Sequence, residues 1–158
     1  MGSRFSRALL VAVVLVAACG GGRSNGGGTN TASALGITAT QITIGSHQPL
    51  TGPAAPSYSE ISQASNAYFK WVNDHGGVNG RTINYLYEDD GYNPQNTSTV
   101  VHKLVLEDKV FAIFNGLGTP THLAVVDYLN SQKVPDLFVA SGCDCWNNTS
   151  KYPDTFGG

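Results

Sequence analysis

Val110-Phe111-Ala112-Ile113-Phe114 is a run of five apolar residues, followed by Asn115-Gly116-Leu117-Gly118 and then by Thr119-Pro120. A strand that is apolar on both faces belongs inside a parallel sheet covered by helices on both sides. The flanking segments agree. Upstream, Asn93-Pro94 offers a cap and a first-turn proline, and Val100, Val101, Leu104 and Val105 then share one helical stripe. Downstream, Thr119-Pro120 repeats the cap-plus-proline pattern, with Leu123, Val126 and Leu129 on one stripe to about Ser131. Leu137-Phe138-Val139-Ala140 is the next short apolar run.

Further toward the N-terminus the same alternation continues. Ile42-Thr43-Ile44-Gly45-Ser46 is short and β-branched and reads as a strand; Pro49-Leu50-Thr51-Gly52-Pro53 after it reads as a loop. Residues 59–74 predict an amphipathic helix with Ile61, Ala64, Tyr68 and Trp71/Val72 on its inner face and Ala67 beside them. The run stops at His75-Gly76-Gly77, and Val78-Asn79-Gly80-Arg81 makes a turn. Residues 83–88 read as a strand by their β-branched and aromatic content. The order β-α-β-α-β-α-β predicts the α/β class, a doubly wound parallel sheet with right-handed crossovers. The eighteen residues after Ala140 read as polar and aromatic loop that leaves the last strand uncovered. The expectation is a truncated or partial chain, or one that needs a partner.

The start of the chain has a different composition. Arg4 and Arg7 precede an uninterrupted apolar run over 8–18, too short to span a ~30 Å hydrocarbon core as a helix. Val16-Ala17-Ala18-Cys19 ends it, and small residues before a cysteine at that place resemble a bacterial lipobox. Residues 1–18 are therefore expected to be a signal peptide, and Cys19 the lipidated first residue of the mature protein. The Gly/Ser/Asn/Thr-rich stretch that follows makes 19–36 a flexible tether, and residues 37–158 the folded part.

The first 36 residues carry three arginines and no acid; the other 122 carry six Lys/Arg against eleven Asp/Glu, a balance of −5. An acidic body argues against nucleic acid as a partner, since neutralising phosphates requires clustered Lys/Arg. Three cysteines are too few for a disulfide-stapled miniprotein.

Four stretches in this order resemble a known family. They are Ile44-Gly45 with Pro49-Leu50-Thr51-Gly52-Pro53-Ala54; Asn73-Asp74-His75-Gly76-Gly77-Val78-Asn79-Gly80-Arg81; Glu88-Asp89-Asp90-Gly91-Tyr92-Asn93-Pro94; and Val134-Pro135 through Ser141-Gly142. Together they are similar to the extracytoplasmic solute-binding proteins of ABC uptake systems, of the branched-chain amino-acid kind. The resemblance implies a type I periplasmic-binding-protein fold, of which 37–158 would be an incomplete first lobe. It also implies two lobes closing on a ligand in a cleft, no covalent chemistry, no cofactor, and as partners an amino-acid-like solute, an ABC permease complex and the membrane through the lipid on Cys19. A ligand-sensing receptor ectodomain of the same fold is a second reading, and a secreted α/β enzyme a third.

Ligands of open α/β sheets lie beyond the carboxyl ends of the strands. Three loops leave such ends: 47–60, 115–119 and 141–143. By the family's pattern the ligand contacts are Gly118, Thr119, Ser141, Gly142 and Cys143, with Tyr58 in the first loop. Thr119 is placed at a helix N-terminus, where backbone N–H groups and a positive dipole end favour a carboxylate.

Other chemistry is weaker. Glu88-Asp89-Asp90 alternate faces and do not converge on a metal by themselves; a loop or capping role is expected. His47, His75, His102 and His122 show no paired spacing and are expected in loops or at the surface, with His47 the one to watch. No catalytic residue or metal site is indicated. Cys143 and Cys145 are expected to be oxidised in an exported protein, either to each other or to residues elsewhere.

Overall fold

A computed structural model describes Thr31 and residues 34–158. The expected signal segment 1–18 and Cys19 lie outside the described residues. Strand β1 (Gln41–Gln48) leads through a short helix α1 (Ala55–Tyr58) into helix α2 (Glu60–Asp74) and strand β2 (Thr82–Asp89). Helix α3 (Pro94–Leu106), strand β3 (Ala112–Phe114), helices α4 (Thr119–Leu123) and α5 (Val126–Ser131) and strand β4 (Asp136–Val139) follow. A single 3-10 turn (Asp144–Asn147) then leads to strand β5 (Thr155–Gly157). The strands form one sheet in the order β2-β1-β3-β4-β5, every pairing parallel.

The last strand corrects the reading of residues 141–158 as plain loop. Thr155 lies beside Asp136 and Phe156 beside Leu137, while Trp146 and Tyr152 pack into a second apolar cluster with Val126 and Val139. Three residues that pair through backbone groups leave little alternation to read in a sequence.

The main core lies on one face of the sheet. Val101, Leu104 and Val105 of α3 meet Val110, Ile113, Val125, Leu129 and Val134, with Leu86 packed against them. Tyr85 and Phe114, the neighbours of Leu86 and Ile113, point to the opposite face. There Phe69 of α2 stands edge-on to both rings, at centroid distances of 5.2 and 5.3 Å. Helices thus cover both faces, as a doubly wound sheet requires.

Two stripes differ from expectation. In α2 the inward residues are Ile61, Ser62, Ser65, Phe69, Val72 and Asn73, while Ala64, Ala67, Tyr68 and Trp71 face solvent. The inner face is partly polar, so an apolar periodicity misplaces it. Asn73 pins α2 to β2, its Nδ2 donating to the Ile83 carbonyl (2.9 Å) and its Oδ1 accepting from the Ile83 N–H (2.7 Å). The expected single helix over 119–131 breaks at Ala124–Val125. Leu123 is therefore exposed, and Val125 takes a fully buried place in the core.

The Asn93 cap is as expected, its Oδ1 accepting from the N–H groups of Gln95 (2.9 Å) and Asn96 (3.4 Å). Thr119 does not act as a cap. Gly118 holds that place without a side-chain bond, and the Thr119 hydroxyl is engaged elsewhere.

Candidate functional site

The carboxyl ends of β1, β3 and β4 are adjacent, so the loops that leave them share one end of the sheet. Leu117 and Ala140 are themselves bridged in parallel, which draws the loops after β3 and β4 together. Between them lies a hollow of about 290 Å³. Its wall consists of Tyr58 of α1, Ile61 of α2, Tyr92, Leu117, Gly118, Thr119, Ala140, Ser141 and Gly142. No side chain in this wall carries a formal charge.

On this wall the hydroxyls of Thr119 and Ser141 meet at 2.5 Å. A hydroxyl pair uses one hydrogen between its oxygens and leaves the other free to donate outward. With only five residues, α4 has few aligned peptide units, so the hydroxyls are the donors that the geometry offers here. Gly142 has nothing within 4 Å of where a Cβ would stand, so the hollow stays open beside Ser141. Gly118 is required for a different reason. At φ 103° its missing Cβ would lie 2.4 Å from the Tyr92 ring and 2.6 Å from the Thr121 hydroxyl.

Of the residues expected to meet ligand, five are gathered here: Tyr58, Gly118, Thr119, Ser141 and Gly142. Cys143 is not part of the wall. It is bonded to Cys145, and its N–H donates to the Ser141 hydroxyl at 3.3 Å, so it braces Ser141 from behind. Sequence reasoning missed Ile61, Tyr92, Leu117 and Ala140. Tyr92 follows β2, whose carboxyl end lies next to that of β1, and counting that loop as a fourth candidate would have found it.

The acids after β2 organise the rim. Asp89 accepts from the N–H groups of Leu50, Thr51 and Gly91 at 2.9–3.0 Å and from the Thr51 hydroxyl at 2.5 Å. Burial by itself would raise the Asp89 pKa; the Thr51 hydroxyl and the three N–H groups outweigh it and hold it below the ordinary value. Asp89 thus fits the expected loop-holding role, but Asp90 is fully buried.

The histidine expectation needs the larger correction. His47 and His122 are both fully buried and bonded to each other, His47 Nε2 to His122 Nδ1 at 2.9 Å. Their outer nitrogens face Asp90 (2.9 Å) and Asp136 (2.7 Å), also fully buried. Burial, the largest influence, holds the His47 pKa below its ordinary value, against the hydrogen bond His47 makes to Asp90. The residues converge from four separate elements, so no sequence spacing reveals them. Among the described residues, no group of three or more His, Cys, Asp and Glu is arranged to hold a metal ion.

Comparison with known proteins agrees with this architecture. Residues 41–157 match the family model described as periplasmic binding protein. A Leu/Ile/Val-binding protein homolog 2 of Brucella abortus (strain 2308) is 34% identical over 89 residues, 54% of this chain and 24% of the relative. The chain thus spans about a quarter of that relative's length. Among solved structures, a fatty acid ABC transporter substrate-binding protein from Thermomonospora curvata is 34% identical with a TM-score of 0.61, over 72% of this chain and 28% of that one. A solute binding protein of an ABC transporter from Rhodopseudomonas palustris BisB5, in complex with 3,4-dihydroxy benzoic acid, is 31% identical with a TM-score of 0.58, over 72% and 30%.

Proposed function

This chain belongs to the periplasmic binding proteins, type I and of the branched-chain amino-acid family, and from that premise we propose that it captures a small carboxylate-bearing solute for ABC-transporter uptake. The solute is an amino acid of branched-chain type or a similar small polar molecule. The protein works outside the cytoplasm, tethered by lipid on Cys19, and delivers its solute to a permease complex. It binds without covalent chemistry.

The observation that carries this reading is the Thr119–Ser141 hydroxyl pair set in a hollow at the carboxyl ends of β3 and β4. One hydroxyl hydrogen remains to donate to a carboxylate oxygen, a charge-assisted bond stronger than a neutral one. Gly142 lets the ligand approach the backbone, and Tyr58 flanks its body. Cys143 keeps Ser141 in place. In the longer relatives a second lobe would close over the solute by hinge motion. The hollow by itself leaves one side of the solute in water, so this lobe alone holds it weakly.

A specific observation favours a second solute class. The wall combines Tyr58, Tyr92, Ile61 and Leu117 and offers no charge to an ammonium group. A carboxylate with an aliphatic or aromatic body suits that lining; of the two solved relatives named above, one is a fatty acid transporter's substrate-binding protein and the other is in complex with 3,4-dihydroxy benzoic acid.

Amide-shift titration of the full chain tests both classes, with L-leucine, octanoate and benzoate at millimolar concentration as probes. Expected are shifts centred on Thr119, Ser141 and Gly142 for at least one probe, weakened about tenfold or more by Thr119→Val, with the melting temperature nearly unchanged. Shifts elsewhere, or none with any probe, would sink the assignment. Lipidation is checked separately, by the mass of the N-terminal peptide that begins at Cys19 in the membrane fraction.

A further inference from the structure

We propose that Asp90, His47, His122 and Asp136 form a buried proton-sharing strut that sets the shape of the hollow, so that solute affinity falls when the strut takes up one more proton. The inference rests on the reading of that hollow as the solute site.

The strut is continuous. Asp90 Oδ2, His47, His122 and Asp136 Oδ2 are joined by three contacts of 2.9, 2.9 and 2.7 Å, and all four side chains are fully buried. They come from the loop after β2, from β1, from α4 and from β4. Its ends are anchored as well. Thr97 donates its hydroxyl to Asp90 at 2.8 Å, and Thr155 donates its own to Asp136 at 3.0 Å.

Three contacts require three hydrogens. With both carboxylates acting as acceptors, the two imidazoles share three N–H protons, one ring neutral and one cationic. In the proposed strut His47, whose pKa burial depresses, is the neutral ring. It donates from Nδ1 to Asp90 and accepts at Nε2 from His122, which donates from Nε2 to Asp136. A fourth proton would go to His47 Nε2 and set two N–H groups against each other across 2.9 Å. The central bond would be lost and the rings would have to part. The titratable groups facing His47 are Asp90 from the β2–α3 loop, His122 from α4 and, beyond it, Asp136 from β4.

The rings have little room to part without moving the wall. The chain runs so close to the central bond at Gly116 that a Cβ there would lie 2.5 Å from His47 Nε2 and 2.9 Å from His122 Nδ1. On another side the Trp146 ring stands edge-on to His122 at 4.9 Å. Every strut residue but Asp136 also bonds directly to the wall's backbone. Asp90 Oδ1 accepts from the Tyr92 N–H at 2.8 Å, the His47 carbonyl accepts from Leu117 at 3.2 Å, and the His122 N–H donates to the Gly118 carbonyl at 3.0 Å. Gly116 and Gly118 bond in turn to Ala140, next to Ser141. Parting the rings therefore shifts the donors that a solute would meet.

The sign follows from linkage. A free imidazole takes its proton near pH 6.5. The folded strut resists the extra proton, so the stability that depends on a neutral His47 is present above about pH 6.5 and is lost as pH falls below it, through the depressed folded value.

Histidine-15N spectra of the full chain from pH 7.5 to pH 5, with the amide shifts and the affinity for each probe that binds, test the proposal. Expected at pH 7.5 are protonated outer nitrogens on both rings and one proton between the inner pair. Expected on acidification is a single step in the rings, matched by steps at Tyr92, Gly118 and Ser141, with probe affinity about tenfold lower at pH 5, the scale of one lost charge-assisted bond. His122→Gln offers an amide oxygen that can accept from a protonated His47 Nε2, so the central contact need not break, and it should abolish the steps at the wall while His47 still takes up its proton. Rings that titrate independently, or wall amides or affinity that stay flat while the rings protonate, would overturn the strut. Ring and wall steps with no binding of any probe would keep the strut and remove the solute reading instead. Should His122→Gln fail to fold, the spectra of the unaltered chain decide alone.

Discussion

One face of strand β3 and its carboxyl end are held in opposite ways. On the α3 side, eight apolar residues from α3 through Val134 pack without a polar atom among their side chains. At its carboxyl end the chain instead runs past Gly116, against the buried Asp90–His47–His122–Asp136 strut. Apolar packing is non-directional and tolerates small rearrangements. A hydrogen-bonded strut of ionisable groups holds only with the correct partners and the correct number of protons. The core therefore makes the lobe, and the strut sets the geometry of one end of it.

The largest effect should come from the strut. Asp136→Ala leaves the His122 N–H buried without a partner, and breaking a buried pair costs about 3–5 kcal/mol. Denaturant unfolding should show that loss at neutral pH. Leu104→Ala in the core removes a fully buried side chain, and about 3 kcal/mol is expected, within the range for such cavities. The comparison sharpens when both are repeated in acid. The cost of Leu104→Ala should stay constant from pH 7.5 to pH 5, whereas that of Asp136→Ala should change, because the strut it disrupts is itself being lost. Equal pH dependence in the two variants would dissolve the distinction. The smallest effect is that of pH on the unaltered chain, a gradual fall in melting temperature below about pH 6.5, in the direction set by the depressed His47.

The same contrast explains what the sequence discloses. Val101, Leu104 and Val105 announce a helix by their spacing, and Val110 to Phe114 announce a buried strand, because apolar packing writes its period into neighbouring residues. The rule that ligands sit beyond strand ends locates Thr119 and Ser141 for the same local reason: each follows a legible strand. Where polar groups carry the contact, the pattern fails. Ser62, Ser65 and Asn73 turn α2 away from its apparent apolar stripe, leaving Tyr68 and Trp71 exposed. His47 and His122 stand 75 positions apart, and only the sheet order brings them together. β5 escapes notice because Thr155-Phe156-Gly157 offers backbone groups rather than a pattern.

The indole edge that rests on His122 has an optical consequence. Only two tryptophans are present, Trp146 almost wholly enclosed and Trp71 more than half exposed. Redistribution of charge between the imidazoles alters the electric field across the enclosed ring and hence its emission, while the exposed ring, its centroid 4.2 Å from that of His75, emits further to the red. The lobe thus contains its own fluorescent gauge of the proton inventory beneath the hollow, readable without any added dye.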